Sequence, residues 1–127
     1  MTARMIFSAA CLALAFAAPA GAAGPPLERE YRILFHDGSA ELRNGAVIAR
    51  QAVDFSQRIA EPTFEVVGHS KTGEQAQVAE ARAHAVSDAL VDMGVPRQSV
   101  VTRAVGAAEP DVRYPHYSGR VIITVRG

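Results

Sequence analysis

The spacing of apolar residues changes from the period of a strand to that of a helix shortly after residue 40. Between residues 31 and 35, Tyr31, Ile33 and Phe35 take alternate positions, which predicts a first β-strand. A single apolar stripe then follows the N-cap residue Asn44 at spacings of 4, 3 and 4, and consists of Ile48, Ala52, Phe55 and Ile59. Pro62 ends this predicted helix, because proline disfavours the α-helical conformation at the residue before it.

A second strand and a second, longer helix come next. Residues 63–68 form a short apolar, β-branched run that is typical of a central strand. Thr72 and Gln75 have the spacing of a capping box, which predicts a helix start. The stripe of this helix consists of Ala79, Ala83, Val86, Leu90 and Met93. Gly94 predicts its end, because glycine takes the left-handed cap conformation easily and Pro96 blocks continuation.

Two further strands complete the pattern, at residues 99–104 and 120–125. The loop between them carries Tyr114 and Tyr117, which indicate either packing against a sheet edge or a recognition surface. The order is β-α-β-α-β-β, without an internal repeat. It predicts an α/β (α+β) domain in which two long helices pack on one mixed four-stranded sheet.

The N-terminal 30 residues predict export. Arg4 is the only charge before Glu28, an apolar run covers residues 5–18, and Ala20-Gly21-Ala22 gives a small-residue cleavage site. The run is shorter than the roughly 20 residues of a spanning helix. We therefore predict a signal peptide over residues 1–22, a flexible leader over 23–30 and a domain over 31–127. The mature chain is expected in the periplasm or associated with the outer membrane, without a membrane span of its own.

Composition narrows the classes of function. The single cysteine, Cys11, lies inside the predicted signal; a lipid anchor is the alternative reading, although the apolar run continues past it. Basic and acidic residues are equal at 13 each, and a basic arm is lacking, so nucleic acid is a poor partner. The four histidines lack the spacing of a zinc motif, and nucleophile and phosphate-loop motifs are absent. We expect neither a metal nor another cofactor, and no enzyme activity.

Several short motifs occur in a fixed order along the mature chain. They are Phe35 with Gly38-Ser39-Ala40, Val66-Val67-Gly68-His69-Ser70, Arg82-Ala83, Gly94-Val95, Ala104-Val105-Gly106 with Pro110, and Arg120-Val121. Together they resemble the OmpA-like domain of flagellar motor stators and peptidoglycan-associated lipoproteins. The resemblance implies the fold given above and non-covalent binding of diaminopimelate in the peptidoglycan stem peptide. In that family an Asp after Gly-His-Thr binds the ligand's ammonium, and a helix Arg binds a carboxylate with the help of backbone amides.

The resemblance implies a partly altered site in this chain. Arg82 matches the family's Arg, and Gln75 is an amide counterpart of its helix Asn, but Lys71 stands at the Asp position. Glu74 is a substitute acid, or simply an acid favoured at a helix N-terminus. The alternative for Arg82 is a purely structural role, in which its aliphatic stem packs on the sheet and its charged group reaches water. The predicted ligand-binding residues are Arg82, Gln75, Lys71, Ser70, His69 and Glu74.

Two functions follow from this altered site. The first is peptidoglycan binding, weakened or changed by Lys71. The alternative is a degenerate OmpA-like domain that acts as a periplasmic protein-interaction module, with another envelope protein as its partner. Near the last strand, Ser118-Gly119 stand where the family has Asn-Arg, a further departure from the family's pattern.

Overall fold

The computed structural model describes residues 27–113 and 119–127. Their elements are the strands β1 (Glu28–Leu34), β2 (Thr63–His69), β3 (Val100–Gly106) and β4 (Arg120–Arg126), and the helices α1 (Gly45–Ser56) and α2 (Ala76–Asp92). A single 3₁₀ turn, Arg97–Ser99, leads into β3. The predicted signal peptide, the first half of the leader (residues 23–26), and the pair Tyr114 and Tyr117 lie outside the described residues.

The strands form one mixed sheet in the order β1-β4-β2-β3. β4 runs antiparallel to both of its neighbours, while β2 and β3 are parallel and are joined through α2. The prediction of two helices on a mixed four-stranded sheet is confirmed. Within the described ranges, neither helix has the length and apolar character needed to cross a bilayer.

One face of the sheet and both helices enclose the core. Alternation along the strands points Ile33, Val66 and Ile123 inward, and each of them is fully buried. The predicted stripe of α2 is confirmed, since Ala79, Ala83, Val86 and Leu90 are at most 1% exposed. Burial of such apolar surface is the main favourable contribution to folding.

Helix α2 packs directly against β2, and Gly68 makes this contact possible. A Cβ added at Gly68 would collide with the carbonyl oxygen of Ala79 and come within 2.9 Å of Ala83 Cβ. The small residues at this contact therefore bring the N-terminal half of α2 against the end of β2. That end of the sheet is where the predicted site residues lie.

The predicted end of α2 is also confirmed. Gly94 has a φ of 106°, and its N–H donates to the carbonyl of Val91 at 3.0 Å. The N–H of Val95 donates to the carbonyl of Leu90 at 3.1 Å, which completes a Schellman motif.

Three sequence-based boundaries were wrong. Helix α1 ends at Ser56, so Ile59 lies beyond it and Pro62 does not mark its end. β1 begins at Glu28, inside the predicted flexible leader, because residues 28–30 pair with β4 and Glu28 binds Arg126 at 2.9 Å. Helix α2 begins at Ala76, with Gln75 as its N-cap residue, and no capping hydrogen bond from the Gln75 side chain is found among the described residues. The predicted capping box is therefore not formed.

Candidate functional site

The candidate site lies where two loops meet the first half of α2. The first loop, residues 35–44, follows β1, and the second loop, residues 70–75, follows β2. Backbone hydrogen bonds fix both loops to the sheet, since Phe35 N–H donates to Gly119 O at 3.0 Å and Ser70 N–H donates to Gly106 O at 2.9 Å. The side chain of Arg82 extends from α2 into the space between the loops.

Arg82 is 0% exposed, and all five of its N–H donors are used. Nε donates to the carbonyl of Ser39 at 2.7 Å. Nη1 donates to the carbonyl of His69 at 3.1 Å and to Glu74 Oε1 at 2.8 Å. Nη2 donates to the carbonyl of His36 at 3.0 Å and to Glu74 Oε2 at 2.8 Å. One guanidinium thus ties together both loops, the end of β2 and α2.

The carboxylate of Glu74 accepts four hydrogen bonds. Two come from Arg82, one from the backbone N–H of Lys71 at 2.6 Å and one from the backbone N–H of Gly38 at 2.5 Å. The hydrogen bonds from Arg82, aided by the two backbone donors, lower the pKa of Glu74 to about 2 against the opposing effect of burial. Glu74 is therefore ionised at neutral pH, and the site holds a matched pair of opposite charges.

Gly119 and Phe35 form the walls around the guanidinium. A Cβ at Gly119 would lie 2.9 Å from Arg82 Nη1 and 3.3 Å from Cζ. The ring of Phe35 lies with its centroid 5.5 Å from Arg82 Cζ, within the range of a cation–π contact. The lack of a side chain at residue 119 thus makes room for the arginine.

The Lys71 ammonium has an acidic partner that the sequence did not single out. Its Nζ lies 2.8 Å from Asp37 Oδ1, in the first loop. The Asp37 side chain is 80% exposed, so this is a surface ion pair of small energetic value. It adds a second link between the two loops, outside the buried Glu74–Arg82 pair.

The other predicted site residues contribute less to this cluster. Gln75 is exposed at the start of α2, and the side chain of Ser70 is buried. His69 is 2% exposed, and its Nδ1 finds no partner among the described atoms. Burial first, then the positive charge of Arg120, lowers the pKa of His69 to about 4, so the ring is neutral at pH 7. Its carbonyl, not its ring, contacts Arg82.

Sequence reasoning missed the first loop. His36 and Ser39 supply carbonyl acceptors and Gly38 supplies a donor, all from main-chain atoms whose partners a sequence does not reveal. The one available signal was that His36 and His69 each follow a predicted strand. Two residues at the ends of strands in one sheet are expected to be neighbours. Over residues 27–113 and 119–127, the His, Cys, Asp and Glu side chains form no group suited to a metal ion.

The arrangement as a whole binds one carboxylate within the chain. A planar guanidinium binds both oxygens of a carboxylate, and two backbone N–H groups complete the set of donors. The anion that occupies it is the chain's own Glu74.

Several solved structures share this fold. The OmpA-like domain of FopA1 from Francisella tularensis superposes with a TM-score of 0.70 at 19% identity, covering 83% of this chain and 76% of that one. The peptidoglycan-associated lipoprotein from Burkholderia pseudomallei gives 0.65 at 15% identity, covering 75% and 89%. The C-terminal domain of Helicobacter pylori MotB gives 0.64 at 16% identity, covering 73% and 82%.

At sequence identities of 15% to 19%, the structural similarity establishes the fold. No curated protein sequence matches the chain significantly. The sequence profile of the OmpA family, in contrast, matches residues 34–122, which is most of the chain and spans every element from the end of β1 into β4. The chain therefore belongs to the OmpA family.

Proposed function

We propose that this chain is a non-enzymatic binding module of the bacterial cell envelope, which binds the diaminopimelate-containing stem peptide of peptidoglycan with low affinity. Membership of the OmpA family supports the class of function. One structural relative is by name a peptidoglycan-associated lipoprotein. The observation that carries the proposal is the convergence of four donors, from Arg82, Lys71 N–H and Gly38 N–H, on one carboxylate.

Two features account for the low affinity. The carboxylate of Glu74 already fills the position that a ligand carboxylate would take, so it must leave before the ligand binds. At the position where the family resemblance implies an Asp for the ligand's ammonium, the chain has Lys71. A cation there repels the ammonium, even though Asp37 partly neutralises it.

A specific observation favours the second candidate, a protein-interaction module. Arg82 is 0% exposed and its five donors are satisfied internally, as in a purely structural ion pair. On this reading the pair fastens the two loops, and another envelope protein binds elsewhere on the domain.

The proposal includes export. Removal of residues 1–22 would leave a periplasmic domain that acts freely or beside the outer membrane. N-terminal sequencing of the protein recovered from a periplasmic fraction tests this, and an intact Met1 in that fraction would contradict cleavage.

The test of function is co-sedimentation of the mature chain with purified sacculi, with and without free meso-diaminopimelate. We expect the sacculi to retain the chain, and millimolar diaminopimelate to release it. No retention, or retention that diaminopimelate does not reduce, would contradict stem-peptide binding and favour the interaction module.

A charge change sharpens the experiment. Lys71→Asp should increase retention, because it restores an anion for the ammonium of the ligand. Arg97→Asp is the matched control, since it makes the same charge change at an exposed side chain before β3, at the opposite end of the sheet. A gain in both variants would indicate a general charge effect and no specific site.

A further inference from the structure

We infer that Glu74 is a resident occupant of the domain's own carboxylate site, and that an external carboxylate can take its place. The inference rests on the proposed function for the identity of the natural ligand. The self-occupancy stands on the geometry of Glu74 and Arg82 alone.

The donors around Glu74 form a site for any carboxylate. Arg82 binds both oxygens at 2.8 Å, and the N–H groups of Gly38 and Lys71 add one bond to each oxygen. These donors come from α2 and from both loops, so none of them is lost when the Glu74 side chain is removed. A buried guanidinium without a counter-ion is strongly unfavourable. An anion that binds beside Arg82 therefore stabilises the folded protein.

Glu74 is the partner that reaches the surface. Its side chain is 10% exposed, whereas that of Arg82 is 0% exposed. Glu74 precedes the helix and follows Gly73, which is exposed and has a φ of 97°. Its displacement therefore requires a change in the second loop and leaves the hydrogen bonds of α2 intact.

A tethered carboxylate competes with a free one by mass action. Groups on short tethers act at an effective concentration on the order of millimolar or above. The apparent affinity for an external ligand is the intrinsic affinity multiplied by the fraction of molecules in which Glu74 is displaced, so a small displaced fraction gives weak binding. Removal of the Glu74 carboxylate should consequently convert a self-filled site into one that binds small carboxylates.

The experiment is a chemical rescue. Glu74→Ala removes Cγ and the carboxylate, a group with the size and charge of acetate. We expect the mature Glu74→Ala variant to unfold at a lower temperature than the original protein in sodium chloride. Sodium acetate at the same ionic strength should raise this temperature progressively with concentration, as for a ligand that binds the folded state.

Three controls define the outcome. Glu80→Gln changes an exposed glutamate of α2 and should respond to acetate only as the original protein does. Glu74→Gln keeps the shape of the side chain and should show a partial rescue, which provides the test if Glu74→Ala does not fold. Glu74→Ala/Arg82→Met lacks the cation and should lose the rescue. An equal acetate response in Glu74 variants and controls, or rescue that persists without Arg82, would overturn the inference.

The proposed function is judged separately, with meso-diaminopimelate and sacculi. Rescue by acetate without retention on sacculi would support self-occupancy and contradict wall binding. Retention that Glu74→Ala leaves unchanged, together with no acetate rescue, would support wall binding and contradict self-occupancy.

Discussion

Gly119 lies directly against the guanidinium of Arg82, and a methyl group at residue 119 would come within 2.9 Å of Nη1. The same glycine accepts the backbone hydrogen bond from Phe35 at the start of the first loop. The residue just before β4 thus lies against the buried ion pair. The position of the Arg82 guanidinium depends on the lack of a side chain at residue 119.

Gly119→Ala should therefore lower the free energy of unfolding by about 1–3 kcal/mol, the usual cost of overpacking. Urea unfolding measures this loss. In an Arg82→Met background the loss should be smaller, because the shorter, unbranched side chain relieves the contact. An equal loss in both backgrounds would show that the strain lies elsewhere.

Glu74 and Arg82 should be strongly coupled in a double-mutant cycle. Removal of one partner of a buried pair typically costs about 3–5 kcal/mol, because the other charge is left without compensation. We expect Glu74→Gln and Arg82→Met each to be strongly destabilising, and the double variant to lose much less than their sum. Urea unfolding of all four proteins gives the coupling energy; a value under about 0.5 kcal/mol would mean independent sites.

The exposed pair of Lys71 and Asp37 should behave differently. Its coupling in the same kind of cycle, with Lys71→Ala and Asp37→Ala, should be no more than about 1 kcal/mol and should fall with added salt. A coupling as large as that of the buried pair would show that both links hold the loops equally.

Acid should destabilise the domain through His69. Its pKa is about 4 in the folded state and 6.5 as a free side chain, so the unfolded chain takes up a proton first. Stability from this residue is complete above pH 6.5 and is lost as the pH falls towards 4, by at most roughly 3 kcal/mol at 1.36 kcal/mol per pH unit. His69→Leu should flatten the stability profile in this interval and leave it unchanged below pH 4. An unchanged slope between pH 6.5 and 4 would contradict the buried, neutral ring.

The fold could be predicted because its signals are local. The stripe of α2 and the glycine that ends the helix lie within one element, so spacing and residue type sufficed. The start of α2 could not be predicted in the same way. Thr72 and Gln75 have the spacing of a capping box, but the loop is shaped by the bonds of Glu74 to Arg82 and to Gly38, and Gly38 is 36 residues away in sequence.

The burial of Arg82 had a partial signal in the sequence. Residue 82 lies three positions after Ala79 and directly before Ala83, within the inward face of α2. Whether a charge at such a position reaches a ligand, solvent or an internal acid depends on long-range partners. The carbonyls of His36 and Ser39 in the first loop decide it here, together with the space left at Gly119.

The most direct measurement of the central claim is the titration of the Glu74 carboxyl group by NMR, followed through its side-chain carboxyl carbon. The donors around it lower its pKa from 4.5 to about 2, so the chemical shift should keep the value of the ionised form as the pH falls through 4.5. Glu80, an exposed glutamate on α2, is the comparison within the same spectrum. A titration of Glu74 centred near 4.5 in the folded protein would mean that its carboxylate does not occupy the Arg82 site.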